Sequence, residues 1–284
     1  METSVVIPAK NESRSIAALI EQLSVLSGLK EIIVVDDGST DGTGDIAEKL
    51  GATVVRHPYS KGNGAAIKSG ARAATGETLL FMDADGQHSP DDVLRLLEKI
   101  HEGFDMVVGA RQAGSQASVG RGVANRFYNR LASYMTGQKI EDLTSGFRAA
   151  RRQKFMEFLS LLPNGFSYPT TSTMAFFRAG YTVGYVPINA SKRHGKSHIR
   201  PVRDGVRFLL IIFKIGTLYS PLKLFVPLSF VLFMLGLSYY GFTYITMGRF
   251  TNMSALMFTT ALIVFMVGLV SEQITALMYK DSDL

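Results

Sequence analysis

Two long stretches without a charged residue constrain this chain more than any other feature. Residues 224–247 contain no Asp, Glu, Lys or Arg, and neither do residues 250–271. An α-helix crosses the hydrocarbon core of a bilayer with about 20 apolar residues, so each stretch is long enough. Two buried helices of a soluble core are the alternative, but the short Gly248-Arg249 link favours a transmembrane hairpin. We predict spans at about 222–247 and 251–271, within a C-terminal segment 221–284.

The segment before the hairpin is strongly basic. Between Val186 and Lys214 there are seven Lys or Arg residues and one acidic residue, Asp204. From Pro201 onward the cationic residues alternate with apolar ones, which is typical of a helix in the headgroup layer of a membrane. A solvated basic linker is the weaker alternative. We therefore predict an amphipathic interfacial helix over residues 199–220.

The beginning of the sequence indicates the side of the membrane. A strand pattern starts at Ser4, with no basic leader and no small-residue cleavage site before it, so we expect no signal peptide. Basic residues precede the first span and few lie in the hairpin turn, which favours a catalytic portion on the cytoplasmic face. The chain has no cysteine, which excludes disulfides and thiolate chemistry and fits a reducing compartment.

Residues 1–198 alternate β-branched apolar runs with amphipathic segments. We predict strands at 4–8, 31–36, 53–56, 78–82, 105–108 and 182–187, and helices at 14–26, 43–50, 65–74, 90–101, 123–136, 151–162 and 168–177. This alternation predicts an α/β domain with a doubly wound, mostly parallel sheet. In such sheets ligands bind at the carboxyl ends of the strands.

Two acidic pairs follow predicted strands. Asp83 and Asp85 come directly after the apolar run 79–82. At the carboxyl edge of a parallel sheet, two such carboxylates can share a hard divalent cation that holds a diphosphate. An Asp-rich turn that closes the strand is the alternative. Asp36 and Asp37 follow the second strand, where we predict hydrogen bonds to the base or ribose of a nucleotide.

A glycine-rich segment opens the third predicted helix. Residues 61–70 lack the full spacing of a dinucleotide-binding fingerprint and do not follow the first strand. The N–H groups at this helix start, together with Lys61, could face an anion. An ordinary helix start is an equally good interpretation.

A basic cluster lies at residues 193–198. Arg193 and Lys196 could hold phosphate oxygens through charge-assisted hydrogen bonds. His194 and His198 have no third ligand nearby, which argues against zinc. The basic residues gather beside the predicted spans rather than on an aromatic-studded face, so we expect no nucleic-acid partner.

Five motifs occur in this chain in a characteristic order and spacing. They are Pro8-Ala9-Lys10-Asn11-Glu12, the segment 36–43 (DDGSTDGT), the segment 83–88 (DADGQH), the segment 142–148 (DLTSGFR) and Gly195-Lys196-Ser197. Together they resemble glycosyltransferase family 2 over about residues 3–215. Within that family the chain is similar to polyprenyl-phosphate glycosyltransferases of the dolichyl-phosphate mannose synthase type.

The resemblance implies a GT-A fold and an inverting transfer of a hexose from a GDP- or UDP-linked sugar to undecaprenyl or dolichyl phosphate. The residues that it implies at the nucleotide-sugar are Pro8, Glu12, Asp36 or Asp37, Asp83, Arg193 and Lys196. Those that it implies around Mg²⁺ or Mn²⁺ are Asp83, Asp85 and Gln87. Those that it implies in catalysis and at the acceptor phosphate are Asp85, Arg111, Arg121, Ser145 and Arg148. The chain departs from the family pattern at Asn125, where a serine is expected near the acceptor phosphate.

Other functions fit the sequence less well. A processive polysaccharide synthase carries a Gln-x-x-Arg-Trp element, and this chain has no tryptophan. A transferase with a glycan or another lipid as acceptor remains open. The intact Asp83, Asp85 and Gln87 argue against an inactive nucleotide-binding membrane subunit, and spans without interior charge argue against a transporter. Small residues in the spans permit association between copies of the chain.

Overall fold

A computed structural model describes residues 2–86, 88–112, 119–165, 167–189, 210, 213, 216–217 and 220–280, and of residues 119–125 and 278–280 it describes the backbone alone. The chain divides into two compact units, Met1–Pro201 (the first unit) and Val202–Leu284 (the second unit).

The first unit is built around one mixed sheet. Among the described residues its strands are β1 Thr3–Ala9, β2 Leu29–Asp36, β3 Thr53–Arg56, β4 Thr78–Phe81, β5 Met106–Arg111, β6 Arg148–Arg151 and β7 Val183–Ile188. Their order across the sheet is β3-β2-β1-β4-β6-β5-β7. β6 runs antiparallel to both of its neighbours, and the other pairs are parallel. Val5, Val6 and Ile7 of the central β1 have no exposed surface, as expected for a strand that is covered on both faces.

Helices connect these strands. In the first unit they are α1 Ile16–Ser24, α2 Thr43–Lys49, α3 Asn63–Ala73, α4 Pro90–His101, α5 Val119–Thr136, α6 Arg152–Glu157 and α7 Tyr168–Arg178. α4 shows why the sequence places a helix there. Ser89 Oγ accepts a hydrogen bond from Asp91 N (3.3 Å), and Pro90 occupies the first turn. Val93 and Leu97, one turn apart, are buried on the sheet side of the helix.

All six predicted strands are present, with their ends shifted by at most three residues. The predicted helix 151–162 is wrong in its extent, because α6 ends at Glu157, and the sequence did not predict β6. Arg148-Ala-Ala-Arg151 has no β-branched residue, so its composition favours a helix. Pairing on both edges overrides that preference, and Ala149 and Ala150 are completely buried between β4 and β5.

In the second unit the described residues form two long apolar helices, α8 Pro221–Met247 and α9 Asn252–Lys280. Gly248, which ends α8, has the left-handed φ of 63° that glycine tolerates best. Both helices are long and apolar enough to cross a membrane. Many of their large apolar side chains are exposed, as lipid-facing residues are. The predicted hairpin is confirmed, while most of the predicted interfacial helix 199–220 lies outside the described residues.

Small residues line the contact between α8 and α9 at intervals of seven. The buried positions are Ser229, Gly236 and Thr243 on α8, and Ser254, Ala261, Gly268 and Thr275 on α9. A seven-residue repeat keeps one face of each helix against its partner. A Cβ added to Gly268 would lie 2.6 Å from Phe225 Cβ, so the absence of a side chain permits this close approach.

Candidate functional site

The carboxyl ends of β1, β2 and β4 meet at one edge of the sheet. Ala9 of β1 pairs with Asp36 of β2, and Val6 of β1 pairs with Phe81 of β4. The segments that follow these strands therefore start beside one another, as the parallel topology predicts. They carry three of the five sequence motifs.

The loops after β1 and β2 are tied together by hydrogen bonds. Asn11, which has a positive φ of 57°, accepts a hydrogen bond from Thr40 N on Oδ1 (2.9 Å). Glu12 N donates to Thr43 Oγ1 (2.9 Å). Asp36 Oδ1 accepts from Ser39 N (2.8 Å), which turns the chain sharply after β2. These contacts hold the Pro8–Glu12 motif against the 36–43 motif and leave the Glu12 side chain partly exposed at the edge.

Asp37 is buried and organises the loop between β3 and α3. Its oxygens accept four hydrogen bonds, from His57 Nδ1 (2.7 Å), Ser60 Oγ (2.7 Å), Lys61 N (2.8 Å) and Gly62 N (2.9 Å). The other ring nitrogen of His57, Nε2, lies 2.9 Å from Ser69 Oγ in α3. Burial by itself raises the pKa of Asp37, but these hydrogen bonds, that of His57 foremost, lower it to about 2. Asp37 therefore shapes the loop from within.

The start of α3 is satisfied by the protein itself. Gly64 N donates to Gly165 O and Ala65 N to Asn164 O, both at 3.1 Å. A side chain at Gly64 would collide with the carbonyl oxygen of Pro163. These contacts favour the ordinary helix start over an anion site at the N–H groups. The Lys61 ammonium lies 5.9 Å from the centroid of the Tyr59 ring.

Arg111, at the end of β5, is anchored by Asp142. Its Nε donates to Asp142 Oδ2 (2.8 Å) and its Nη2 to Asp142 Oδ1 (3.0 Å), a bidentate ion pair. Burial raises the pKa of Asp142, but Arg111 outweighs that effect and lowers it below its usual value. Asp142 Oδ1 also accepts from Thr144 N and Ser145 N, both at 3.1 Å. The same carboxylate thus fixes Arg111 and the turn that contains Ser145.

Arg148 is completely buried. Its guanidinium donates to the carbonyl oxygens of Ser145 and Pro169 and to the hydroxyl oxygens of Ser172 and Thr173. The Arg148–Pro169 bond is 2.8 Å long. Burial lowers the pKa of Arg148, and the Tyr168 ring centroid lies 5.8 Å from its guanidinium carbon. The side chain therefore joins the 142–148 segment to the start of α7 and does not face the site.

Gly146 brings the 142–148 segment against Asp83. A Cβ added to Gly146 would lie 3.4 Å from Asp83 Oδ2 and 3.3 Å from Tyr168 Oη, and Tyr168 Oη donates to Gly146 O at 2.9 Å. Asp83 is also close enough to Arg111 for its charge to contribute to the raised pKa of that residue. The structure therefore brings together two motifs that are separated by more than fifty residues in sequence.

His88 is a residue to which the sequence assigned no role. It is 9% exposed, and its ring stacks on Phe147 with centroids 4.4 Å apart and an interplanar angle of 12°. Burial and the nearby Arg111 lower the pKa of His88 to about 4, so the ring is neutral near pH 7. Its Nδ1 has no hydrogen-bond partner among the described residues. The signal was its place at the end of the 83–88 motif.

The donor set at the end of β4 fits a hard divalent cation. Within the described residues there is no group of three His, Cys, Asp or Glu side chains that could hold a metal by themselves. Asp83 and Asp85 offer carboxylate oxygens, the ligand type that Mg²⁺ and Mn²⁺ prefer, with phosphate and water completing the shell. Gln87, Arg193, Lys196 and the side chain of Arg121 lie outside the described residues, as does the side chain of Asn125.

Comparison with known proteins identifies both parts of the chain. Residues 4–159 match the model of glycosyl transferase family 2, and residues 220–277 match that of the GtrB C-terminal hairpin. Glycosyltransferase AglJ of Haloferax volcanii is 31% identical over 233 residues, which cover 80% of this chain and 76% of that protein. Polyprenol monophosphomannose synthase of Mycolicibacterium smegmatis is 31% identical over 67% of this chain and 78% of its own length.

A third relative matches a shorter part. Dolichol-phosphate mannosyltransferase of Pyrococcus furiosus is 36% identical over 58% of this chain, which spans half the length of that protein.

Solved structures show the same fold over about three quarters of the chain. Glucosyl-3-phosphoglycerate synthase of Mycobacterium tuberculosis, in complex with Mn²⁺, UDP-glucose and phosphoglyceric acid, superposes with a TM-score of 0.62. It is 25% identical, and the match covers 76% of this chain and 79% of that one. The GT-A fold and the family resemblance are thereby confirmed. The chain belongs to glycosyl transferase family 2, and its C-terminal helices form the GtrB hairpin.

Proposed function

We propose that this protein transfers a hexose from a GDP- or UDP-linked sugar to the phosphate of a polyprenyl lipid, with inversion at the anomeric carbon. The observation that carries the proposal is the contact between the Asp83 end of β4 and the 142–148 segment. It brings Asp83, which we propose as a metal ligand, close to Arg111. The presence of a membrane hairpin in the same chain, and relatives named as polyprenol and dolichol-phosphate mannose transferases, support a lipid acceptor.

On the donor side, Pro8, Glu12 and Asp36 would contact the nucleotide. Asp37 would support the same site by holding the 57–62 loop in place through its hydrogen bonds to Lys61 N and Gly62 N. Asp83 and Asp85, with Gln87, would hold Mg²⁺ or Mn²⁺. When bound, the ion would neutralise the negative charge that develops on the leaving diphosphate. Lys61, Arg193 and Lys196 would add positive charge around the same diphosphate.

On the acceptor side, Arg111, Arg121 and Ser145 would orient the lipid phosphate. A phosphate monoester is anionic near neutral pH, so it attacks the anomeric carbon without a strong general base. Positioning and charge stabilisation then supply most of the rate enhancement. Arg111 suits this role because Asp142 fixes its guanidinium plane. Arg148 would contribute indirectly, because its guanidinium donates hydrogen bonds to the Ser145 carbonyl oxygen and so holds this segment in place.

The second unit would retain the protein at the membrane in which the acceptor is dissolved. We propose that the first unit lies on the cytoplasmic face, where nucleotide-sugars are made. The basic segment before the hairpin supports this orientation. A soluble donor and a lipid-anchored acceptor then meet at the bilayer surface.

The experiment that tests the proposal uses the full chain in detergent or vesicles. GDP- and UDP-linked radiolabelled sugars are offered with undecaprenyl or dolichyl phosphate and Mn²⁺, and label in the organic phase is counted. We expect Asp85→Ala to abolish lipid-linked product, although the protein still folds and inserts. Asp45→Ala, at a site whose side chain is 73% exposed, is the matched control and should retain activity.

Two results would contradict the proposal. Near-normal turnover of Asp85→Ala with excess divalent metal would remove the role of the carboxylate pair. Label that enters only water-soluble products, with every lipid tested, would indicate a different acceptor.

A further inference from the structure

Among the described residues of the first unit, two histidines are buried, His57 and His88, and they differ in one respect. Both ring nitrogens of His57 are partnered, Nδ1 by Asp37 at 2.7 Å and Nε2 by Ser69 at 2.9 Å. His88 is equally well buried at 9% exposure, yet its Nδ1 has no partner among the described residues. A buried polar atom without a partner lowers stability, so such atoms in native proteins call for a functional explanation.

The position of the His88 ring is fixed by Phe147. The two rings are nearly parallel, at 12°, with centroids 4.4 Å apart. Phe147 is completely buried and belongs to the 142–148 segment, while His88 ends the 83–88 segment. Because the two rings pack against each other, the His88 ring keeps its orientation, although its Nδ1 has no hydrogen bond to the part of the chain that the structure describes.

The surroundings of His88 indicate the kind of ligand. The ring is close enough to Arg111 to feel its positive charge. Asp85, a proposed metal ligand, lies three residues before it. A phosphate ligand beside His88 would meet the Arg111 guanidinium and a carboxylate pair that suits a divalent ion. A ring nitrogen that carries hydrogen adds a directional donor to such a site.

We propose that His88 contacts substrate by donating a hydrogen bond from Nδ1 to a phosphate oxygen of the bound reactants. The inference rests on the proposed function, since it takes the reactants to be a nucleoside diphosphate sugar and a lipid phosphate. Both reactants present the same chemical group. The missing partner of Nδ1 thus arrives with the substrate, and the stability lost in the free protein is recovered on binding.

The test compares two substitutions in the full-length protein. His88→Phe preserves the ring and its stacking on Phe147 but removes both nitrogens. His88→Asn places a polar atom near the position of Nδ1 but loses the stacking. His101→Phe, at an exposed histidine at the end of α4, is the control for the substitution itself.

Two measurements are made on each variant. Affinities for GDP and UDP with Mg²⁺, and for farnesyl phosphate as a short lipid phosphate, are determined by titration calorimetry. Thermal unfolding is followed by circular dichroism. We expect His88→Phe to weaken binding of one ligand class about tenfold or more, while its melting temperature stays equal or rises, because an unpaired buried atom has been removed. His88→Asn should bind more tightly than His88→Phe.

The ligand class that is weakened identifies the source of the phosphate. A loss for the nucleotides assigns the contact to the donor diphosphate, and a loss for farnesyl phosphate assigns it to the acceptor. The inference is overturned if His88→Phe binds all these ligands within twofold of the parent, in which case the ring serves packing alone. The transferase proposal fails separately, if the unmodified protein binds nucleotides but forms no lipid-linked sugar.

Discussion

Arg148→Lys should destabilise the first unit by about 3 kcal/mol, although the charge is conserved. The guanidinium donates to two buried carbonyl oxygens: that of Ser145, which accepts from both Nε and Nη2, and that of Pro169, which also accepts from Thr173 Oγ1. A lysine ammonium lacks the planar fork that reaches both, so the Ser145 carbonyl loses its donors and the buried charge loses part of its hydrogen bonding. An unsatisfied buried group costs about 1–3 kcal/mol, and more when it is charged. Ser172 and Thr173 contribute less, since their hydroxyls also donate to main-chain carbonyls within α7.

The expected change is large enough to measure directly. For a domain of roughly 200 residues, 1 kcal/mol shifts the melting temperature by about 2–4 °C, so Arg148→Lys should melt about 6–12 °C below the parent. The chain has no tryptophan, so unfolding is followed by far-ultraviolet circular dichroism or calorimetry in detergent. Arg95→Lys, on an arginine whose side chain is 46% exposed and paired with Asp92, should melt within about 1 °C of the parent.

The outcome also separates two roles for Arg148. If the guanidinium gripped the acceptor phosphate, as the family resemblance implies, Arg148→Lys would raise the KM for the lipid phosphate and leave the melting temperature almost unchanged. A melting temperature within about 2 °C of the parent would refute the structural reasoning. A large loss of stability, with activity recovering at low temperature, would support it.

Three further predictions concern the supporting contacts. The pKa of Asp37 is about 2, below its usual 3.8. The ionised carboxylate therefore contributes about 2 kcal/mol to the free energy of unfolding above about pH 4, and this contribution is lost as the pH falls toward 2. In melting experiments at several pH values, Asp37→Asn should lower the stability at pH 7 and flatten this decline. Gly64→Ala should cost about 1–3 kcal/mol in denaturant unfolding, since its methyl group meets the Pro163 carbonyl, whereas Gly165→Ala meets no atom within 4 Å and should be neutral. Gly268→Leu should separate α8 from α9 and increase protease cleavage of the hairpin, and an unchanged digestion pattern would contradict the packing described.

Local patterns in the sequence were sufficient to predict most of the fold. The apolar run 79–82 and the period of the 90–101 helix are visible without tertiary information, and both elements appear where they were predicted. β6 could not be predicted in this way, because a short Arg-Ala-Ala-Arg segment becomes a strand only when β4 and β5 are on either side of it. The antiparallel strand in the middle of the sheet is thus a property of the assembled sheet.

In the candidate site, too, some features follow from local sequence and others depend on tertiary contacts. The motif residues at the strand ends, such as Asp83 and Asp85, could be predicted because their positions follow from strand periodicity and parallel topology. The burial of Arg148 could not be predicted, since its partners in α7 are more than twenty residues away. Likewise, the stacking of His88 on Phe147 depends on a contact between segments about sixty residues apart.

These placements change what a motif residue implies about chemistry. In the segment 142–148, Asp142 holds Arg111, Gly146 lets the chain approach Asp83, and Arg148 holds the Ser145 carbonyl. Each of the three acts on a proposed site residue, so replacing any of them should impair the proposed transfer without removing a substrate contact. Loss of activity alone therefore does not identify a catalytic residue in this segment. To distinguish supporting from contacting residues, stability and ligand affinity must be measured on the same variants. Replacing a supporting residue lowers both stability and activity, whereas replacing a contacting residue lowers affinity and leaves the fold intact.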